Sequence, residues 1–279
     1  MRSTPPVETV HLFPELHRRL VTLLKELEPV DWSKPTVAGR WQVRDVVAHL
    51  LDVQVRRLSV QRDSHELAAP AEELSDYGNL VAFLDSLNAS WVSAMRRVSP
   101  TILVDLLDIV GPQFAAFAAA LDPEAPAAFP VAWAGEAESQ NWFDVGRDYT
   151  ELWHHQAQIR WAVNAEPLTE RRWLHPVLAL SVRALTRALA DLDRPDGTAL
   201  VLRLDGAAGG VWTATASAGA WSVSEGAAAT PAAEVTMPVD EAWKVFFNAR
   251  SEGDVHSLAQ TTGDQALGAA VLRLRSVMV

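Results

Sequence analysis

Apolar residues recur every three or four positions through most of the first half of the chain. In residues 14–28, "PELHRRLVTLLKELE", leucines occupy the positions that face one side of a helix with 3.6 residues per turn. The same period predicts further helices, which cover about 41–63, 76–98, 101–121 and 143–164. These five segments predict a helical bundle in which the second and last helices can be neighbours.

The pattern changes after residue 166. A further helix is predicted over 170–192, and four short alternating runs follow, separated by Gly-rich or Ala-rich turns: 198–205, 210–218, 220–226 and 233–238. Two closing helices, "VDEAWKVFFNAR" and "GDQALGAAVLRLRSVM", complete an α+β domain with a small, mostly antiparallel sheet and helices on one face. The predicted architecture is therefore multidomain, with a helical bundle over residues 1–166 and an α+β domain over 167–279.

Composition narrows the classes of partner. The 279 residues carry a formal net charge of −11 and no run of basic residues, which argues against binding to nucleic acid or to an anionic membrane surface. The N-terminus has no signal-peptide pattern and no uninterrupted apolar stretch of membrane-spanning length occurs later, so a cytoplasmic protein is expected.

The chain contains no cysteine. Disulfides, thiolate metal sites and a cysteine nucleophile are therefore excluded. Any sulfur chemistry must use a thiol from outside the protein.

The stretch "GRDYTELWHHQAQIRW", residues 146–161, concentrates polar groups on the last predicted helix. Successive residues of a helix point about 100° apart, so Glu151 and His155 share a face at the edge of the apolar stripe. His154 is expected to face solvent. Asp148 also lies near this edge, and it could orient a ligand or replace Glu151 as the carboxylate ligand.

On the second helix, His49 stands among Val46, Leu50 and Val53 and should project into the bundle. Together with Glu151 and His155 it would supply two imidazoles and one carboxylate. This set suits an open catalytic zinc site and equally a non-haem iron site, so the residues leave the metal open. The alternative is a hydrogen-bonded core histidine beside an incidental contact on another helix.

The segment "GRWQVRDVVAHLLD" resembles the W-x-V-R-D-V-V-A-H-L signature of the DinB-like metalloenzymes, and in particular of the mycothiol-dependent maleylpyruvate isomerase family. The resemblance implies that His49, Glu151 and His155 are the metal ligands. It also implies a DinB-like four-helix bundle followed by a small α+β domain similar to sterol carrier proteins. Related families that use other thiols have a third histidine where this chain has Glu151, so the glutamate favours the mycothiol branch.

The resemblance implies an enzyme that uses a divalent metal, expected to be zinc, and mycothiol as the thiol cosubstrate for isomerisation or S-transfer on a small electrophile. One alternative is a mycothiol S-transferase acting on a natural-product intermediate. Another is a non-catalytic carrier of a small ligand. The expected partners are small molecules, with neither nucleic acid nor membrane, and the chain is expected to be a monomer or homodimer.

Several other residues are candidates for roles near this site. The isomerases use an arginine of the C-terminal domain for substrate, and the chain offers three choices for it: Arg250, Arg273 and Arg275. Asp45, one turn before His49, is expected either in an exposed ion pair or as a group that orients a ligand. The indoles that could line a substrate pocket are those of Trp41, Trp133 and Trp142.

Overall fold

The computed structural model describes residues 2–66, 74, 76–250 and 252–278. The chain forms two compact units. The bundle unit comprises Thr9–Ala128 and Glu151–Pro167, and the sheet unit comprises Met1–Glu8, Phe129–Thr150 and Leu168–Val279. The division into domains at residue 166 stays a prediction.

In the described part of the bundle unit, the α-helices are α1 (Phe13–Lys25), α2 (Val43–Arg57), α3 (Tyr77–Met95), α4 (Pro100–Ala120) and the second part of α5 (Asn141–Val163). The helical period predicted all five, with ends that differ by a few residues. α4 packs against α1 and α2, and α3 packs against α2. A single π-helical turn, Leu58–Arg62, follows α2, so the regular helix ends earlier than the apolar period indicated.

α4 is unusually apolar. Among the described residues it is the one helix long and apolar enough to cross a membrane, with a mean hydropathy of 1.6 over its best window. The core helix of a bundle meets the same criterion, and α4 packs on two neighbouring helices with Leu103 and Leu107 fully buried. Asp108 on its surface forms an ion pair of 2.7 Å with Lys25 of α1. Composition is therefore weak evidence for a membrane span here.

The described residues of the sheet unit form six strands: β1 (Arg2–Ser3), β2 (Ala199–Asp205), β3 (Gly210–Ser217), β4 (Ala220–Glu225), β5 (Ala233–Pro238) and β6 (Gln260–Gly263). Their order is β1-β4-β3-β2-β5-β6, and every neighbouring pair is antiparallel except β2 with β5. Residues Leu200, Val201 and Leu202 are fully buried, so the centre of β2 is covered on both faces.

The helices of the sheet unit, besides the first part of α5, are α6 (Arg171–Ser181), α7 (Leu185–Ala188), α8 (Val239–Phe246), α9 (Glu252–Leu258) and α10 (Gln265–Leu272). The predicted helix over 170–192 is in fact interrupted by a 3-10 turn at Val182–Ala184. The four strands predicted from alternation are present as β2 to β5, while β1, β6 and α9 were not predicted. The predicted fold class, a helical N-terminal region followed by an α+β region, is confirmed.

Candidate metal centre

His49 is held at the middle of α2, on a helix that the core fixes tightly. Val46 and Leu50, its neighbours on the apolar face, are fully buried, and His49 is itself buried. The start of α2 is fixed by Asp45, whose carboxylate accepts the backbone N–H of Gln42 at 3.1 Å. The position of His49 therefore follows from a well-anchored helix.

The ion pair predicted for Asp45 is present, but its exposure was predicted wrongly. Asp45 is 1% exposed, and Arg96 at the end of α3 donates two hydrogen bonds to it at 3.0 and 3.1 Å. The reason is that a carboxylate in the first turn of α2 turns back over the helix start, where α3 covers it. Asp45 therefore anchors the helix that carries His49.

The structure brings His49, Glu151 and His155 together. Oε1 of Glu151 lies 2.8 Å from Nε2 of His49 and 3.2 Å from Nε2 of His155. One potential ligand atom from each residue lies within 4.8 Å of the others, and no other group of this kind occurs among the described histidines and carboxylates. Two helices far apart in sequence thus direct three metal-binding groups at one point.

The protonation states in the cluster suit a cation. Burial opposes a charge on Glu151, but the neighbouring imidazoles, His155 above all, outweigh it and hold the pKa of Glu151 well below its usual range. Burial also lowers the pKa of His49, against the opposing effect of its hydrogen bond to Glu151. An ionised carboxylate and a neutral imidazole are the forms that bind metal ions.

His154 is not the solvent-facing residue that the helical positions predicted. It is 3% exposed, its ring centroid lies 4.0 Å from that of His155, and its Nδ1 lies 3.9 Å from Oε2 of Glu151. The prediction failed because α5 has almost no solvent face: nearly every residue from 143 to 160 is buried. Stepping around a helix separates two faces only where one of them meets water.

Asp148, the alternative carboxylate ligand, does not join the cluster. The group of potential ligands contains Glu151 and leaves Asp148 out. Asp148 is buried, with the guanidinium of Arg147 3.7 Å away, and Arg147 also forms an ion pair with Asp144. The geometry thus groups Glu151 with the two histidines, and its choice over Asp148 as the metal ligand stays a prediction.

An ion pair lies one turn beyond His49 on the same side of α2. Nη2 of Arg56 is 2.9 Å from Oδ2 of Asp52, and Arg56 also donates to the side-chain oxygen of Asn88 on α3 at 2.9 Å. Burial raises the pKa of Asp52, and Arg56 opposes this rise. This pair was not predicted, although the four-residue spacing of opposite charges on a helix could have indicated it.

The indole of Trp41 covers the two imidazoles. Its ring centroid lies 4.9 Å from that of His49 and 6.2 Å from that of His155. Trp133 and Trp142 belong to the sheet unit, where both pack against Phe143. That Trp41, Trp133 or Trp142 lines a substrate pocket stays a prediction.

The three candidate arginines of the C-terminal region have different surroundings within the sheet unit. Arg250 donates to the carboxylate of Glu241 at 2.7 and 2.9 Å, so this guanidinium is engaged. Arg275 donates to the side chain of Asn248 and to two backbone carbonyls, and Arg273 is exposed. Which of them serves a substrate stays a prediction.

Gln158 was also missed. Its Oε1 lies 2.7 Å from Nδ1 of His155, three positions earlier on α5. By contrast, Nδ1 of His49 is buried without a hydrogen-bond partner among the described residues. The i, i+3 spacing of a histidine and a glutamine on one helix was the available signal.

Comparison with known proteins identifies the family of the bundle. Residues 13–160 match the model of the mycothiol maleylpyruvate isomerase N-terminal domain. None of the curated proteins matches the sequence. Two solved structures are similar over 94% of this chain and 96% of their own, each at 10% identity: the mycothiol-dependent maleylpyruvate isomerase, with a TM-score of 0.57, and a histidine-to-alanine mutant of it, with a TM-score of 0.55.

At that identity the two structures establish the fold, whereas the matched domain covers more than half of the chain. The matched segment contains α1 to α4 and nearly all of α5, and with them each of the three clustered side chains. By this domain, the chain belongs to the mycothiol maleylpyruvate isomerase family.

Proposed function

We propose that this chain is a metal-dependent enzyme that uses a low-molecular-weight thiol, mycothiol, in a reaction on a small electrophile. The observation that carries the proposal is the convergence of His49, Glu151 and His155 on one point. Family membership supports the choice of thiol. The expected reaction is isomerisation of the maleylpyruvate type, as in the enzyme whose fold the chain shares.

The donor set fits a zinc ion. Two imidazole nitrogens and one carboxylate oxygen are the ligands of several open catalytic zinc sites, which keep a further position for a small molecule. His49 and His155 are buried, whereas the side chain of Glu151 is 28% exposed. The carboxylate is therefore the group of the cluster that faces solvent most, while the imidazoles are shielded from water.

A divalent ion bound here would stabilise the deprotonated form of a thiol near neutral pH. The chain contributes no thiol, since it has no cysteine. Its own residues hold the ligand atoms in place: Asp45 anchors α2, and Trp41 covers the rings of His49 and His155 and limits access of water to them.

Isomerisation and S-transfer share a first step, the attack of the thiolate on an electrophilic carbon. In isomerisation the thiolate adds to a conjugated double bond, the remaining single bond rotates, and departure of the same thiolate restores the double bond. In S-transfer the new carbon–sulfur bond remains in the product. Product analysis distinguishes the two, so a mycothiol S-transferase is the second candidate within the same site chemistry.

A carrier of apolar ligands has less support. A cavity in the sheet unit, lined by residues that include Asp191, Asp193, Arg194 and Trp221, has a volume of about 130 Å³. Pockets for organic ligands typically enclose about 300 to 1,000 Å³. A cytoplasmic location, a monomeric or homodimeric state, and the absence of nucleic-acid and membrane partners remain part of the proposal.

The test combines metal analysis with thiol-dependent activity. We expect the purified protein to bind about one zinc ion per chain, and His49→Ala and His155→Ala to lose it. The zinc-loaded protein should turn over maleylpyruvate or a related electrophile with mycothiol, and more slowly with glutathione or bacillithiol. Equal metal content in the wild type and both variants would disprove the site, and no thiol-dependent turnover across a panel of electrophiles would disprove the reaction.

A further inference from the structure

The two imidazoles of the centre are held differently. His155 has a partner at each ring nitrogen: Oε1 of Glu151 at 3.2 Å from Nε2, and Oε1 of Gln158 at 2.7 Å from Nδ1. Gln158 is 3% exposed, so water does not compete for this contact. The short distance and the burial indicate a well-formed hydrogen bond on the side of the ring away from the carboxylate.

The chemistry of the amide oxygen decides what this contact does. A carbonyl oxygen only accepts hydrogen bonds, so Nδ1 of His155 must carry the proton that it donates to Gln158. A neutral imidazole has one such proton, which leaves the lone pair on Nε2, the nitrogen directed at Glu151. Through a single hydrogen bond, Gln158 can therefore fix both the ring orientation of His155 and the nitrogen available to a cation.

We propose that Gln158 is a positioning residue for the metal centre: it holds His155 so that Nε2 is presented to the ion. The proposal rests on the proposed function, since it assumes that His49, Glu151 and His155 bind the metal. His49 lacks an equivalent, because its Nδ1 has no hydrogen-bond partner in the part of the chain that the structure describes, and the indole of Trp41 packs against its ring instead. Gln158 therefore acts on one of the two imidazoles.

The same helix supplies a matched control. Gln156 is 1% exposed and forms hydrogen bonds within the bundle unit, donating to the carbonyl of Leu16 at 3.0 Å and accepting from Arg160 at 3.1 and 3.2 Å. It is thus a buried glutamine of equal size on α5 that bonds to Leu16 and Arg160 and not to an imidazole of the cluster. Replacing it tests the structural cost of removing a buried amide separately from any effect on the metal.

The experiment measures the zinc dissociation constant by competition with a chromogenic chelator. We expect Gln158→Met and Gln158→Leu to weaken zinc binding about 10- to 100-fold, the usual effect of removing a group that orients a metal-binding histidine. Gln158→Glu restores an acceptor for the Nδ1 proton and should return the constant to near the wild-type value. Gln156→Leu should leave it near the wild-type value while lowering the melting temperature of the metal-free protein.

A second readout follows the proton itself. In zinc-loaded protein with ¹⁵N-labelled histidine, the Nδ1 proton of His155 should exchange slowly with solvent in the wild type and in Gln156→Leu. The exchange should be faster in Gln158→Met. If Gln158→Leu does not fold, the isosteric Gln158→Met and the Gln158→Glu variant still decide the question.

Two results would overturn the role of Gln158 alone. One is wild-type zinc affinity in Gln158→Met while His155→Ala loses the metal, and the other is equal weakening in Gln156→Leu and Gln158→Met. Absence of zinc binding in the wild-type protein would instead overturn the metal centre, and the role of Gln158 with it.

Discussion

Oε1 of Glu151 lies 2.8 Å from Nε2 of His49, although 102 positions separate the two residues in the chain. The same oxygen lies 3.2 Å from Nε2 of His155. One carboxylate oxygen thus joins α2 to α5 at the point where both imidazoles meet. Because the three side chains already lie close together, binding a cation requires little further ordering of the chain.

The adjacent histidines should separate into a ligand and a packing residue. His155→Ala is expected to weaken zinc binding strongly, whereas His154→Ala should bind zinc nearly as well as the wild type. His154 is nonetheless buried, so its replacement should lower the free energy of unfolding of the metal-free protein by about 1 to 3 kcal/mol. Zinc titration and denaturant unfolding of both variants measure the two effects. Loss of zinc binding in His154→Ala would show that the pair acts as one unit.

Trp41→Ala removes the ring that contacts His49 and His155 and should weaken zinc binding. Aromatic contacts of this kind stabilise a site by about 0.5 to 1.5 kcal/mol. Their loss corresponds to a zinc dissociation constant about two- to tenfold larger. Trp41→Phe retains a ring and should lose less. Trp91→Phe is the control, because its indole donates to the carbonyl of Ala48 beside His49. If Trp91→Phe weakens zinc binding as much as Trp41→Ala, ring contact is not the cause.

Asp45 and Arg96 should contribute unequally to stability. Asp45→Ala leaves the first turn of α2 without the acceptor for Gln42 and should lower the free energy of unfolding by about 1 to 2 kcal/mol. The side chain of Arg96 is 58% exposed, so Arg96→Ala should cost less than about 1 kcal/mol. Urea unfolding of the two variants provides the comparison. Equal losses in the two variants would mean that Asp45 stabilises the protein mainly through its ion pair with Arg96 and not by capping α2.

The stability of the metal-free protein should fall as pH decreases below about 6.5, in part because of His17. Burial lowers the pKa of His17, Asp108 opposes this and Lys25 adds to it. A base with a lowered pKa in the folded state is protonated first in the unfolded chain, so acid favours unfolding between the unfolded and folded pKa values. His49 has a shift of the same sign.

Denaturant unfolding from pH 7.5 to 5.5 tests this linkage. His17→Gln should show a shallower loss of stability than the wild type, by at most about 1.4 kcal/mol per pH unit for one proton. Its curve should retain part of the slope because His49 still titrates. Parallel curves for His17→Gln and the wild type would show that His17 does not contribute.

The sequence predicted the helices of the bundle and the three clustered residues because both follow from local spacing. Glu151 and His155 are one turn apart on any helix, and His49 stands among apolar neighbours on another. Local spacing does not show that His49 on α2 lies level with Glu151 and His155 on α5. Only the family resemblance or the structure itself gives that information. The burial of His154 could not be predicted, because it depends on what surrounds α5 and not on its own period.

The strands β2 to β5 were predicted equally well, since alternation and Gly-rich turns are local signals, whereas β1 and β6 were not predicted. The pairing of the strands was not predicted. β2 has a neighbour on each side, and the sequence does not show which later strand pairs with its second edge. β5 pairs with β2 in parallel, whereas a chain of hairpins would have placed it beside β4. β1 is only two residues long, too short for any period to be visible.

The parallel pairing of β2 with β5 has a consequence for the order of folding. β2, β3 and β4 are joined by short connections and can form as a meander from local contacts. After β4 the chain must cross back over the sheet so that β5 pairs with β2. This pairing is parallel, whereas the preceding hairpins are antiparallel. Loop closure of this kind is slower than hairpin formation. We therefore expect amide protection in refolding experiments to appear in β3 and β4 before it appears in β5 and β6.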